Sequence, residues 1–285
     1  MLSKVGRDPQ QCGVNRARWT LNLLLTQAQL PLKVQTPSGL WQVLRYLGIS
    51  YKRARDYLHS PDPDYDPKLL WIAGRFQAAR NEPQRFVILY VDELTFYRQP
   101  SLASAYGPMG HEQPLARRSY RSDCKGRVIA AMDACTGRVI YLLGPRTDIA
   151  VLRKFHLKIR EAYPDAETIY LVEDNWPMHA HPDVLASLQK QTYPWSPRLP
   201  ARWAAVQPRE AFQSDNLPIQ LLFLPTYAPW TNPIEKLWRW LYQEHLHLHR
   251  LSDAWDELQQ RVRDFLDGFA QPSPALLHYV GLLPK

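Results

Sequence analysis

Cysteine is scarce in this chain: Cys12, Cys124 and Cys135 are the only three among 285 residues. Spaced so widely, they form neither the close pair of a zinc knuckle nor an even disulfide framework, and they read as reduced thiols of a cytosolic protein. Long apolar runs are also missing. The longest, around Phe86 to Val91, is far too short to span a bilayer, and Met1 to Gln11 shows no charged-then-apolar leader. The expectation is a soluble, cytoplasmic protein. No internal repeat or low-complexity segment is present, which excludes solenoids and arrays.

The chain has enough apolar residues, 45% against 22% charged, to bury a sizeable core, which excludes wholesale disorder. Its 35 Lys and Arg against 27 Asp and Glu leave a net charge of +8. Such an excess favours a polyanionic partner, because cations that neutralise phosphates release condensed counterions.

Residues 15–60 read as a small helical unit. Arg18 to Leu30 carries apolar residues at helical spacing, and Thr36-Pro37-Ser38 offers an N-cap with proline at the first helical position of a second helix. Two short helices around a turn fit a helix-turn-helix. After Gly48, the cations Lys52, Arg53 and Arg55 suit a wing against a phosphate backbone, and Arg45 lies on the second helix. The prolines and aspartates of His59 to Lys68 argue for a linker. The expected organisation is a DNA-binding unit over residues 1–60, a linker and helix over 61–80, and one larger domain over 81–285.

In that larger domain, Arg85 to Glu93 is an apolar, strand-length run ending in two carboxylates, and Gly126 to Ala134 and Gly137 to Gly144 form a hairpin joined at Cys135-Thr136. A helix over Ile149 to Tyr163 precedes a second acid-terminated strand, Thr168 to Asp174. Residues 192–216 hold several prolines and no clear period, so they read as an insertion, in which Arg198, Arg202 and Arg209 reach phosphates or the segment packs as a satellite. A strand over Leu217 to Pro225 and two helices follow, the second capped by Ser252. This order predicts an α/β fold, a mixed sheet with helices on its faces.

Three acids sit where elements are expected to end or begin: Asp92, Asp174 and Glu235. Neighbouring parallel strands bring their C-terminal ends together, and a following helix can lean over that edge. Converging carboxylates repel one another unless a cation lies between them, and hard oxygen ligands suit Mg²⁺ or Mn²⁺. Two such ions about 4 Å apart hold the attacking and leaving oxygens of a phosphodiester in line.

The strings VDELTFY at Asp92, YLVEDNWPMH at Asp174 and LPTYAPWTNPIEKLW at Glu235, in that order, closely resemble the DDE transposases of the mariner-type superfamily, in its bacterial insertion-sequence branch. The resemblance covers nearly the whole chain. It implies a ribonuclease H-like catalytic domain behind a helix-turn-helix unit, with Asp92, Asp174 and Glu235 as catalytic metal ligands for two Mg²⁺ or Mn²⁺ ions. Asn175, His179, Asn232 and Pro233 match the surroundings of that triad. The implied partners are double-stranded DNA, both terminal inverted repeats and target, and a second copy of the chain in a synaptic homodimer at the nucleoid. The implied reaction is cut-and-paste movement of a DNA element, usually into TA. Such proteins usually carry two helix-turn-helix units, and the stretch before Arg18 has no room for the first. A catalytically silent or domesticated DNA-binding remnant, or another ribonuclease H-like nuclease, therefore stays open as an alternative.

Of the remaining candidates, Arg117, Arg118 and Arg121 are either phosphate contacts or a solvated edge. Glu93 points away from Asp92 on a strand and reads as structural, Glu173 likewise is not expected to be a ligand, and His245, His247 and His249 read as a solvated helix end.

Overall fold

Strand pairing in the larger part of the chain includes a hairpin whose turn is built by one side chain. The computed structural model describes residues 7–27, 34–52 and 59–283. Strand β2 (Lys125–Asp133) ends at Asp133, whose Oδ1 accepts the backbone N–H groups of Cys135 and Thr136 at 2.8 and 2.9 Å. Gly137 then takes a left-handed φ of 74°, which a side chain would resist, and β3 (Val139–Gly144) returns. Strand β1 (Phe86–Tyr97) pairs antiparallel to β2 on one side and parallel to β4 (Thr168–Glu173) on the other, and β5 (Ile219–Phe223) closes the row. The sheet order is β3-β2-β1-β4-β5, a mixed sheet of the ribonuclease H-like type.

Alternation along the strands splits the core between two faces. Val87, Leu89, Val91, Ile129 and Ala131 pack into one cluster with α3 (Tyr65–Asn81) and α4 (Ile149–Ala162). Leu94, Phe96, Val128, Ala130 and Met132 pack into the other with α7 (Ile234–Leu241), α8 (Trp255–Asp267) and α9 (Pro274–Val280). Between β4 and β5 lie a 3-10 turn at Pro177–Ala180 and the short helices α5 (Pro182–Ala186) and α6 (Glu210–Gln213).

The chain divides into two compact units, Met1–Leu58 and His59–Lys285. The first unit holds α1 (Leu21–Gln27) and α2 (Pro37–Tyr46), packed through Leu24, Leu40 and Leu44. Thr36 caps α2 by accepting Gly39 N–H at 3.1 Å, with Pro37 at the first position. Arg53 and Arg55, expected on a wing, lie outside the described residues.

Several expectations need correction. Strand β1 does not stop at the acids but runs on to Tyr97, because β2 keeps pairing with it beyond the end of β4. Ser252 caps no helix: α8 begins at Trp255, and the Ser252 hydroxyl donates to Arg117 O. The three histidines are not a solvated helix end. Helix α7 runs into a π-turn at Tyr242–Leu246, His247 Nδ1 meets Ser101 Oγ at 2.9 Å, and His249 is buried. In the 192–216 segment Trp195 packs edge-on against Trp71 and Tyr193, while Arg209 is paired with Asp183.

One core residue sets a pH limit on stability. His156 on α4 is 1% exposed, and neither ring nitrogen has a hydrogen-bond partner among the described residues. Burial, reinforced by the charge of His179, pulls its pKa down to about 3. A histidine depressed below its unfolded value stabilises the fold above that value and costs stability as pH falls towards the folded pKa. Between pH 7 and about pH 4 this histidine costs roughly 3 kcal/mol. His156→Leu replaces two unmatched polar atoms by apolar ones of similar volume. Its urea midpoint is expected above wild type at pH 7, with the gap widening as the pH is lowered; parallel curves for the two proteins would refute the assignment.

Candidate active site

The parallel pairing of β1 with β4 ends at Tyr90 and Val172, and the acids stand just beyond that point. Asp92 is two residues past Tyr90 on β1, and Asp174 directly follows β4. Glu235 is the second residue of α7, after a turn through Pro229–Thr231. All three line one cleft of about 400 Å³, together with Asn175, Trp176, Asn232 and the segment 224–229.

Each acid is held differently. Asp92 keeps step with Leu94 and Phe96 and so faces α7, where Trp238 Nε1 donates to its Oδ2 at 2.8 Å. Trp238 follows Glu235 by one helical turn, so one face of α7 presents an acid to the cleft and an indole to its neighbour acid. Burial first, and then the charges of Glu235 and Glu93, push the Asp92 carboxyl up to about 8. Glu235 keeps solvent access at the mouth, yet partial burial and the charge of Asp174 raise its carboxyl against the pull of Arg239. Asp174 is exposed, and its Oδ1 accepts Trp176 N–H at 2.9 Å.

These residues fit a hard cation. The donors are all oxygen, and a buried Asp92 that resists ionisation is one a positive charge would relieve. Asn232 adds an observation of its own: its Nδ2 donates to Val91 O at 3.0 Å, while its Oδ1 is buried without a partner on the same cleft. Among the described residues no three His, Cys, Asp or Glu side chains already close around a single ion-sized point. The acids share a cleft rather than a preformed cage.

Behind the cleft, His179 fills a different place from its neighbours in the sequence. It is 1% exposed, with Nε2 at 3.0 Å from Glu93 Oε1 and Nδ1 at 3.2 Å from Glu173 Oε2. Burial would lower its pKa, but the two carboxylates outweigh burial and raise it; burial likewise raises Glu173, against the imidazole. His179 thus ties β1 to β4 one residue from Asp92 and Asp174. Asn175 Nδ2 donates to Leu224 O at 2.6 Å, fastening the end of β4 to the end of β5. Trp238 and the segment 224–229 stand in the string read at Glu235, but their roles, holding Asp92 and lining the cleft, were not read from it, although the spacing of Glu235 and Trp238 on one helical face was a signal for the indole.

Within the larger unit, none of Arg117, Arg118 and Arg121 lines the cleft. Arg117, Arg118 and Arg121 are exposed on the long segment between β1 and β2. Arg45 is exposed on α2 with its guanidinium 5.3 Å from the Trp41 ring, and Lys52 is exposed.

A five-stranded mixed sheet with two aspartates where its parallel strands part, and a glutamate from the helix after β5, is the arrangement of a ribonuclease H-like nuclease domain. The chain belongs to the DDE superfamily endonucleases, whose family model matches residues 87–259. It is 24% identical over 266 residues to the insertion element IS630 uncharacterized 39 kDa protein of Shigella sonnei, covering 92% of this chain and 68% of that protein. Among solved structures it resembles the Mos1 transposase paired-end complex with left transposon end, at a TM-score of 0.61 and 16% identity over 99% of this chain and 76% of that one. The Mos1 mariner paired end complex with Mn gives a TM-score of 0.61 and 16% identity, over 98% and 75% of the two chains. The DDE assignment read from the three strings is borne out in family, and the fold it implied is borne out by the likeness to the mariner transposase structures. Among the described residues no helix is long and apolar enough to cross a membrane.

Proposed function

We propose that this chain is a transposase that cuts and joins DNA at the inverted-repeat ends of a mobile element, by metal-dependent phosphodiester hydrolysis followed by strand transfer into TA. The observation that carries the reading is the placement of Asp92, Asp174 and Glu235 on one cleft where the parallel strands end. Support comes from the family match and from the relatives, one from an insertion element and others solved with transposon-end DNA or with Mn.

Two Mg²⁺ or Mn²⁺ ions would make water, and then a DNA 3′-hydroxyl, nucleophilic at neutral pH and stabilise the leaving oxygen. Asp92, Asp174 and Glu235 supply the oxygen ligands. Trp238 fixes the rotamer of Asp92 by holding one of its oxygens, and Asn232 aims its unpartnered Oδ1 at the same space. The pair His179–Glu93 and the bond from Asn175 to Leu224 O keep the strand ends in register, so the acids do not drift as charge builds on the phosphate. Phosphate contacts come from the basic surface, with Arg45, Lys52, Arg53, Arg55, Arg117, Arg118 and Arg121 as the proposed set, and a homodimer brings two ends together. The chain acts in the bacterial cytoplasm at the nucleoid.

The test is cleavage of a labelled terminal-repeat duplex in Mg²⁺ or Mn²⁺ against a scrambled duplex. Asp174→Asn is expected to lose cleavage while binding DNA as well as or better than wild type, since a carboxylate that repels phosphate is gone. Binding should be strongly salt-dependent, weakening by roughly a hundredfold or more between about 50 and about 200 mM salt. Full cleavage by Asp174→Asn would refute the ligand assignment, and metal-independent binding without any cleavage by wild type would identify a DNA-binding remnant.

A further inference from the structure

The stretch that the sequence marks as a linker is a buried polar clasp on the wall of the catalytic cleft. Ser60 is 4% exposed, and the side chains of Asp62 and Lys68 are 4% and 8% exposed. Ser60 Oγ donates to Thr226 O at 2.6 Å, and Asp62 Oδ2 accepts Thr226 N–H at 2.8 Å. Both backbone polar groups of Thr226 are therefore taken by side chains from the other end of the domain, in the way a neighbouring strand would take them. Asp62 is itself held by Lys68 Nζ at 2.7 Å and by Asp64 N–H at 3.0 Å. Close by, Trp230 Nε1 donates to Tyr65 Oη at 3.0 Å.

Thr226 lies on the path from β5 to Glu235, and Thr226, Tyr227, Ala228 and Pro229 all line the cleft with the three acids. Tyr227, the next residue, carries a left-handed φ of 54° and is 72% exposed. An exposed tyrosine in that conformation persists only where its surroundings over-determine it. A buried charge pair is poor evidence of stabilisation for its own sake, because desolvation offsets most of the attraction. The feature left to account for three buried polar side chains is what they grip.

We propose that Ser60 and Asp62 are positioning residues for the catalytic reaction: by clamping Thr226 they hold the 225–229 wall, and through it the turn that delivers Glu235, in the geometry the chemistry needs. The segment that carries the chain out of the N-terminal unit is then the one that sets the cleft wall. This inference rests on the transposase reading of the cleft.

The test compares two double variants of the full chain that both lack the ion pair. Asp62→Asn with Lys68→Met keeps an acceptor for Thr226 N–H; Asp62→Ala with Lys68→Met does not. The alanine pair is expected to lose roughly tenfold or more in single-turnover Mn²⁺-dependent cleavage with the apparent KM for DNA unchanged, and the asparagine pair to restore it. Amide exchange across residues 224–230, measured without metal or DNA, should speed up in the alanine pair alone. Ser60→Ala, a milder change, should show a smaller loss of the same kind should the alanine pair fail to fold. Equal cleavage and equal exchange in the two pairs would overturn the proposal, as would a rate that falls only in step with the folded fraction. Were wild type inert on DNA, the transposase reading would fail, while the exchange comparison would still decide whether Asp62 and Ser60 hold the wall.

Discussion

Asp92→Asn is expected to abolish Mg²⁺-dependent cleavage and, in the same protein, to raise the stability of the metal-free fold. Both effects come from one cause. The Asp92 carboxylate is pushed up to about 8 by burial and by the charges of Glu235 and Glu93, so the fold works against its ionised form. Asparagine keeps the shape and an acceptor for Trp238 Nε1, and it removes the charge that burial and the other acids oppose. The gain in unfolding free energy at neutral pH is on the order of 1–3 kcal/mol, read as a higher urea midpoint without a change in slope. The loss in rate is roughly a thousandfold, the several kcal/mol a metal ion gives to charge developing on phosphoryl oxygens. Added Mg²⁺ or Mn²⁺ should raise the melting temperature of wild type and leave the variant unmoved. A variant that is less stable than wild type and still shifts with metal would mean that Asp92 is a structural acid held by its indole.

The site was legible in the sequence where chemistry is local and illegible where it depends on long-range closure. An apolar run ending in carboxylates carries its own meaning, and so does a proline-rich turn ahead of Asn232, Pro233 and Glu235, since both are set by neighbours in the chain. The reach of β1 to Tyr97 was not legible, because it depends on β2 pairing with residues that β4 no longer covers. Ser252 looked like a helix cap from its position, but its hydroxyl is taken by Arg117 O, a contact across the fold. The prolines and aspartates of His59 to Lys68 read as a linker for the same reason. Their partner, Thr226, is remote in sequence, and only the folded chain shows that the polar side chains are buried. His179 was visible as part of a string, whereas its two glutamate contacts, from β1 and from the end of β4, were not.

Glu235→Gln separates a metal ligand from a helix-terminal charge. Glu235 lies in the first turn of α7, where an acid complements the helix dipole by about 0.3–1 kcal/mol whatever else it does. Glutamine preserves size and hydrogen-bonding reach, so under the dipole reading the variant melts a little lower and cuts DNA at a comparable rate. The cleft argues for a different outcome. The Glu235 carboxyl is raised by partial burial and by Asp174, a cost that an acid placed only for the dipole would avoid by turning to solvent. Its neighbour one turn on, Trp238, holds Asp92, so the same helical face positions two of the three acids. Glu235→Gln is therefore expected to fold as wild type and to lose cleavage by roughly a hundredfold or more, with terminal-repeat binding intact. Glu235→Asp, which keeps the charge on a shorter arm, should retain partial activity. Wild-type rates from Glu235→Gln would leave the third oxygen ligand to be sought at Glu93 or Glu173, both now turned towards His179.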